Sequence, residues 1–347
     1  MKPLPDPESV RRVVVRLTNW VGDAVMNTPF LARTRRTFPN ARIAVLGRAS
    51  VASLFTHHPD VDEVWTLDDR SRAGYREAIG RLRRFRADVA FALPNSLNSA
   101  ALLRLGGARV RVGYARDRRG VLLTHAIELR PQDLAVHEVK YYLRLLSPWG
   151  ASGGDPGPLK LEVTAEERVA FDRWLKERGI GLETPLIGVN PAAFFGTAKR
   201  WLPERYAESA AQLARESGAR VLVTGLPGER EWAQRVCDHG GAAFHNAAGE
   251  MKLRDLMTFL DRCRLYLTND SGAMHIAAAL GAPLVAVFGS TDWVTTAPLS
   301  PKARIVRVPT ECAPCILRDC PIDHRCMTGV SVRAVVKAGR ELLGSTG

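Results

Sequence analysis

The sequence predicts an α/β protein of two doubly wound, Rossmann-like domains facing a central cleft. Three observations carry that expectation. Short β-branched runs alternate with helical segments from end to end, a pattern that calls for parallel sheets covered by helices. A Gly-, Pro- and Ser-rich stretch at 147–158 divides two such series near the middle. The chain's 347 residues, 46% of them hydrophobic, exceed one ordinary core and suffice for two.

In the first series, strands are expected near 12–17, 42–46, 63–67, 88–93 and 110–113. In the second they fall near 185–190, 219–224, 264–268, 284–288 and 304–308. The domains are placed at 1–158 and 159–347. Thr164 followed by Glu167 makes a capping box that opens a helix through about Arg178, with Gly179 as its stop. A closing helix from about Ser331 ends the second domain and is allowed to pack back on the first. The longest uncharged stretch, Ser271 to Thr291, contains His275, Gly281, Pro283 and Gly289, so it predicts helix, turn and strand rather than a membrane span. Residues 1–12 carry no apolar run behind their charges; a secretory signal is not expected, and the expected location is cytoplasmic.

The net charge of +13 is uneven. Residues 1–180 hold 30 Lys and Arg against 20 Asp and Glu, and residues 181–347 hold 19 against 16. A basic first half suits an anionic partner, such as a phospholipid surface or a phosphorylated glycolipid, or is simply a set of solvated Arg-rich faces. Basic runs interleaved with aromatics, zinc-finger spacing and RNA-binding signatures are absent, so no nucleic-acid partner is expected.

In doubly wound sheets, ligands bind beyond the carboxyl ends of the strands, so the strand-to-helix junctions matter most. The first strand runs into Asn19, Trp20, Val21, Gly22 and Asp23. Asp23 there is either a cleft carboxylate or a first-turn acid serving the helix dipole, and Trp20 beside it offers a flat face to a sugar. A second junction runs from Asn269 through Asp270, Ser271 and Gly272 into an Ala-rich helix that stops at Gly281 before Pro283. The free amides of such a helix start suit a diphosphate, with Ser271 and Gly272 allowing close approach. His275, one turn on, is either a core residue or a ligand contact. A third loop, from Asn190 to Pro203, delivers Lys199 and Arg200 just before a helix, where cations oppose the dipole; that placement points to a ligand anion. A fourth junction offers Glu229 and Glu231, either ribose acceptors or first-turn acids.

No GxGxxG follows a strand, and neither a GxxxxGK[ST] loop nor a GxSxG elbow occurs. Asp60 and Asp62 are spaced like a metal-binding pair, yet they follow Pro59 and precede a strand, which is turn chemistry. Four of the six cysteines (Cys312, Cys315, Cys320, Cys326) crowd with His324 into fifteen residues, leaving a small metal-bound knob or a loop of reduced thiols as alternatives. No catalytic metal and no cofactor is expected.

The segments NWVGDAV (19–25), AKRWLPERYA (198–207) and NDSGAMHIAAALGAP (269–283), with the CxPCxxRxCPxxHxC loop (312–326), together resemble the ADP-heptose:lipopolysaccharide heptosyltransferases. Their form is closer to heptosyltransferase II than to I, and the similarity runs from about residue 11 to 340. The resemblance implies a GT-B enzyme of inverting type that moves L-glycero-D-manno-heptose from ADP-heptose to the heptose of a lipid A–Kdo–heptose acceptor. It implies Asp23 as general base and Lys199, Asp270, Gly272 and His275, with Ser271, on the donor. Glu229 (or Glu231 in a competing alignment) and Met251 would meet the donor nucleoside, and Asn19 and Trp20 the acceptor. It further implies a first domain that binds acceptor, a second that binds donor, and work at the anionic inner-membrane surface. Phe194-Phe195-Gly196-Thr197 departs from the family's loop before the lysine. The competing expectations are heptosyltransferase I or III with another acceptor, a nucleotide-sugar hydrolase or epimerase, and a non-catalytic nucleotide-sugar-binding protein.

Overall fold

The computed structural model describes residues 3–193 and 195–344, so Phe194 lies outside the described residues. The first sheet contains β1 (Arg12–Arg16), β2 (Arg42–Gly47), β3 (Glu63–Thr66), β4 (Val89–Ala92), β5 (Val110–Tyr114) and β6 (His125–Ile127). The second contains β7 (Leu186–Asn190), β8 (Arg220–Val223), β9 (Phe244–Asn246), β10 (Leu265–Asn269), β11 (Leu284–Phe288) and β12 (Ala303–Arg307). All pairings are parallel, in the orders β3-β2-β1-β4-β5-β6 and β12-β11-β10-β7-β8-β9. The two sheets share one topology, in which the chain reverses its direction of progress between β1 and β4 and between β7 and β10. Those switch points are where doubly wound sheets open a crevice for ligand.

Ten of these strands lie where the β-branched runs place them. The two extra strands, β6 and β9, have three residues each at a sheet edge. Such short pieces carry no alternation to detect, and edge strands are commonly this brief.

Chain contacts divide the molecule into Met1–Leu161 and Glu162–Gly347. The boundary falls three residues beyond the expected linker because that linker is tied to the first unit. Arg33 donates to the carbonyls of Ala151 (3.1 Å), Gly153 (2.7 Å) and Asp155 (2.7 Å), and the Lys160 amide donates to Thr28 Oγ1 at 3.1 Å. The helix Ala165–Glu177 opens on the capping box, with Glu167 N to Thr164 Oγ1 at 3.2 Å and Thr164 N to Glu167 Oε2 at 2.8 Å. Gly179 follows it at φ 66°.

In the first unit Val13, Val14 and Val15 are fully buried, and Phe30 meets Phe91 edge-on at 5.0 Å. In the second, Trp201 and Tyr206 pack edge-on at 4.9 Å. The closing helix Val332–Gly344 packs on elements of the second unit. Its apolar face, with Val335, Val336 and Leu342, completes the second unit's own core against the helix Pro203–Ser217 and β10 to β12. No helix among the described residues is long and apolar enough to cross a membrane.

Candidate functional site

At the switch point of the second sheet, Asn269 ends β10 and is spent on structure. Its Oδ1 accepts from the Trp201 amide (3.0 Å) and the Tyr206 hydroxyl (2.8 Å), and its Nδ2 donates to the Pro191 carbonyl (3.0 Å). This one buried amide stitches the end of β10 to both ends of the loop that follows β7. Asp270 is thereby brought beside Lys199, with Nζ to Oδ2 at 2.8 Å and both side chains largely buried. The Lys199 ammonium also stands 5.2 Å from the centre of the Phe195 ring. Ser271 caps the helix Gly272–Ala279, its Oγ accepting from Met274 N at 3.3 Å. Thr268 Oγ1 at 3.1 Å and Asn190 Nδ2 at 3.5 Å hold that hydroxyl in place. His275 is buried, 3% exposed, one turn behind. Lys199, Asp270, Ser271 and Gly272 thus form one cluster of a cation, a carboxylate and amides at a helix start, the composition of a diphosphate cradle.

Arg200, the neighbouring cation, is directed elsewhere, with its guanidinium 5.5 Å from the Trp232 ring. Glu229 and Glu231 also separate. Glu229 accepts from Leu226 N at 2.7 Å, the reach-back of a first-turn acid that caps its own helix start next to Gly225, beyond β8, whereas Glu231 pairs with Arg235 at 3.3 Å. Met251 lies half-buried in the segment after β9.

The cysteine-rich loop has a structural task that its spacing did not reveal. It buttresses the turn bearing Lys199: Ala198 N donates to the Arg318 carbonyl (2.9 Å), Thr197 Oγ1 to Asp319 Oδ1 (2.5 Å), and His324 Nε2 meets the Ala198 carbonyl at 2.8 Å. The thiols of Cys312, Cys315, Cys320 and Cys326 are free and line a cavity of about 60 Å³. Among the described residues, no three His, Cys, Asp or Glu side chains are grouped to hold a metal ion. Asp62 accepts from Ile43 N and from Arg35, both at 2.6 Å, which ties the turn before β3 to the sheet.

In the first unit, Asp23 sits half-buried in the first turn of the helix Val21–Met26, directly after Trp20, which is 55% exposed. Asn19 accepts from Arg16 Nη2 at 2.7 Å. The Asp23 helix packs against the helix Glu138–Leu143, and a residue no motif announced appears there. Burial, then the Asp23 charge, pushes the Glu138 carboxyl up to about 7, against a hydrogen bond from Tyr142 that pulls it down. The folded chain therefore binds more protons than the unfolded one between about pH 4.5 and 7, and stability falls as pH rises through that window. Glu138→Gln is expected to remove up to about 3 kcal/mol of that fall, measured as urea midpoints at about pH 5 and pH 8. An unchanged pH slope would show that Glu138 ionises normally.

Comparisons with known proteins place this geometry in context. The model of "Glycosyltransferase family 9 (heptosyltransferase)" matches residues 76–325. Lipopolysaccharide heptosyltransferase 2 of Salmonella typhimurium is 34% identical over 313 residues, 86% of this chain and 88% of that protein. Its namesake from Escherichia coli K12 is 32% identical with the same coverage. The solved structure of E. coli ADP-heptose lps heptosyltransferase II superposes with a TM-score of 0.84 at 29% identity, covering 96% of this chain and 99% of that one. A twice-repeated parallel sheet, a cation–carboxylate–amide cluster at the second switch point, and a family match over most of the chain agree: this protein belongs to glycosyltransferase family 9, the heptosyltransferases.

Proposed function

We propose that this chain transfers L-glycero-D-manno-heptose from ADP-heptose to the first heptose of the lipopolysaccharide inner core, with inversion at the anomeric carbon. The observation that carries the donor half is the convergence of Lys199, Asp270 and the Ser271-capped helix start at one switch point. There Lys199 and the helix amides stabilise the diphosphate as the anomeric C–O bond breaks. Glu229, in the turn after β8, is the ribose partner, Met251 lies against the adenine, and His275 supports the phosphate site from behind. Asp23 accepts the proton of the attacking acceptor hydroxyl, while Asn19 and Trp20 contact the acceptor sugar. A carboxylate is a weak base toward a sugar hydroxyl. Proton transfer to Asp23 is then late, as the anomeric carbon becomes cation-like, and its charge also stabilises that carbon. The second domain binds donor, and the basic first domain meets the acceptor at the anionic cytoplasmic face of the inner membrane.

The test is mass spectrometry of a lipid A–Kdo–heptose acceptor incubated with ADP-heptose. A gain of one heptose, linked to the existing one, is expected; a gain on an acceptor lacking heptose would assign the first transfer instead. With phosphate neutralised by Lys199 and backbone amides, transfer is expected to continue in excess EDTA, and a complete loss restored by Mg2+ would contradict that assignment. A Cβ on Gly196 would overlap the Arg318 carbonyl oxygen. Gly196→Ala is therefore expected to displace the Lys199 turn and raise the KM for ADP-heptose about tenfold, with the acceptor KM unchanged. Equal donor KM values would show that the cysteine loop's support is dispensable.

A further inference from the structure

The first sheet has its own crevice, and the motifs leave it unassigned. A polar cavity of about 150 Å³ opens at the carboxyl ends of its strands, lined by Arg16 from β1, Arg48 and Asp69 beyond β2 and β3, and Asn98 beyond β4. At about 30 Å³ of liquid per water, that is room for roughly five waters, or for one charged substituent with part of a sugar ring. It sits at the β1/β4 switch point, the counterpart in this sheet of the place where Lys199 and Asp270 meet in the other.

Arg16 is the unusual group there. It is 4% exposed, yet among the described residues two of its donors are used: Nη1 to the Leu17 carbonyl and Nη2 to Asn19 Oδ1 at 2.7 Å. Its Nε is buried with no hydrogen-bond partner. The acid that most offsets its charge, Asp69, is itself gripped by Arg48, with Nε to its two oxygens at 3.0 and 2.8 Å and Nη2 at 2.7 Å. Two guanidinium groups against one carboxylate leave the pocket one positive charge in excess. A buried cation without full compensation is costly, and a retained one is accounted for by an anion that completes it.

We infer that this pocket is a subsite for an oxyanion, a carboxylate or phosphate borne by the acceptor saccharide, with Arg16 its principal donor and Arg48 and Asn98 its rim. The inference rests on the reading of the first domain as the acceptor-binding one. It gives Asn19 a concrete task. By fixing Arg16, Asn19 couples the anion's seat to the loop that carries Trp20 and Asp23, so a correctly charged acceptor sets the position of the hydroxyl that Asp23 must deprotonate. Guanidinium is suited to this role because it stays charged when buried and presents a planar fork to two oxygens.

The experiment measures transfer kinetics of wild type, Arg16→Gln, Arg16→Lys and Asn98→Leu with three acceptors: intact, carboxyl-reduced and dephosphorylated. In parallel, binding of free Kdo and of inorganic phosphate to each protein is followed by NMR. Arg16→Gln is expected to raise the acceptor KM at least tenfold with the ADP-heptose KM unchanged, and Arg16→Lys to recover part of the loss. Removing one of the two anions should weaken the wild type to the same degree and leave Arg16→Gln indifferent, which identifies the anion as carboxylate or phosphate. If Arg16→Gln fails to fold, the exposed Asn98→Leu, which obstructs the pocket without touching the buried cation, must show the same acceptor-specific rise. Wild-type transfer with variants unaffected, or losses from mutation and anion removal that simply multiply, would overturn the subsite and leave the transferase reading intact. Arg16-dependent Kdo or phosphate binding without any transfer would support the subsite and sink the transferase reading. Neither transfer nor binding would overturn both.

Discussion

Asp23→Ala is expected to abolish heptosyl transfer while the fold persists. The kinetic expectation follows from its proposed role: a positioned general base contributes typically about 10²–10⁴-fold, and the loss of its charge opposite a developing cation adds to that. The structural expectation follows from its place. Asp23 is a half-buried acid in the first turn of a six-residue helix, and its favourable interaction with the helix dipole is worth about 0.3–1 kcal/mol. Against that loss, its removal relieves Glu138, whose carboxyl it helps to hold at about 7. The two effects oppose each other, so the melting temperature of Asp23→Ala should stay near that of wild type. Activity within tenfold of wild type would rule Asp23 out as the base. A titration of Glu138 by NMR adds an independent check, since its pKa should fall in the variant.

Lys199→Ala is expected to lower kcat by about 10²–10³-fold, the range for deleting one preorganised donor at a site of developing negative charge. This change also strands Asp270, which is 6% exposed, so a stability loss on the order of 3 kcal/mol accompanies it. The double substitution Lys199→Ala with Asp270→Asn separates the two effects. Removing both members of the ion pair should recover most of the stability and none of the activity. If the double variant regains transfer along with its melting temperature, Lys199 acts only by balancing Asp270, and the diphosphate must be held by the helix amides alone.

The junction after β10 was legible because several local rules coincide there. Asn269 ends a strand, Ser271 is a side chain that caps, and Gly281 at φ 72° followed by Pro283 is a helix stop. The capping box at Thr164 is equally local. What escaped the sequence is tertiary. Glu138 acquires its pKa only because one helix packs on another, and nothing near it in the chain announces Asp23. Arg16 is one of the many arginines of a basic half until the sheet closes over it. Nor does spacing tell that Arg318 and His324 of the cysteine loop hold Ala198, over 100 residues away, through carbonyl and ring contacts. Where the linker ends was likewise decided by Arg33, a side chain reaching across 118 to 122 positions to three backbone carbonyls.

Use of ADP-heptose to glycosylate a heptose-bearing acceptor is read most directly in the release of ADP. ADP-L-glycero-D-manno-heptose would be supplied with and without a lipid A–Kdo acceptor already carrying one heptose. ADP release is expected to depend on the acceptor. Release at the same rate without acceptor would make the protein a hydrolase, and silence under both conditions with the donor tightly bound would contradict the proposed acceptor.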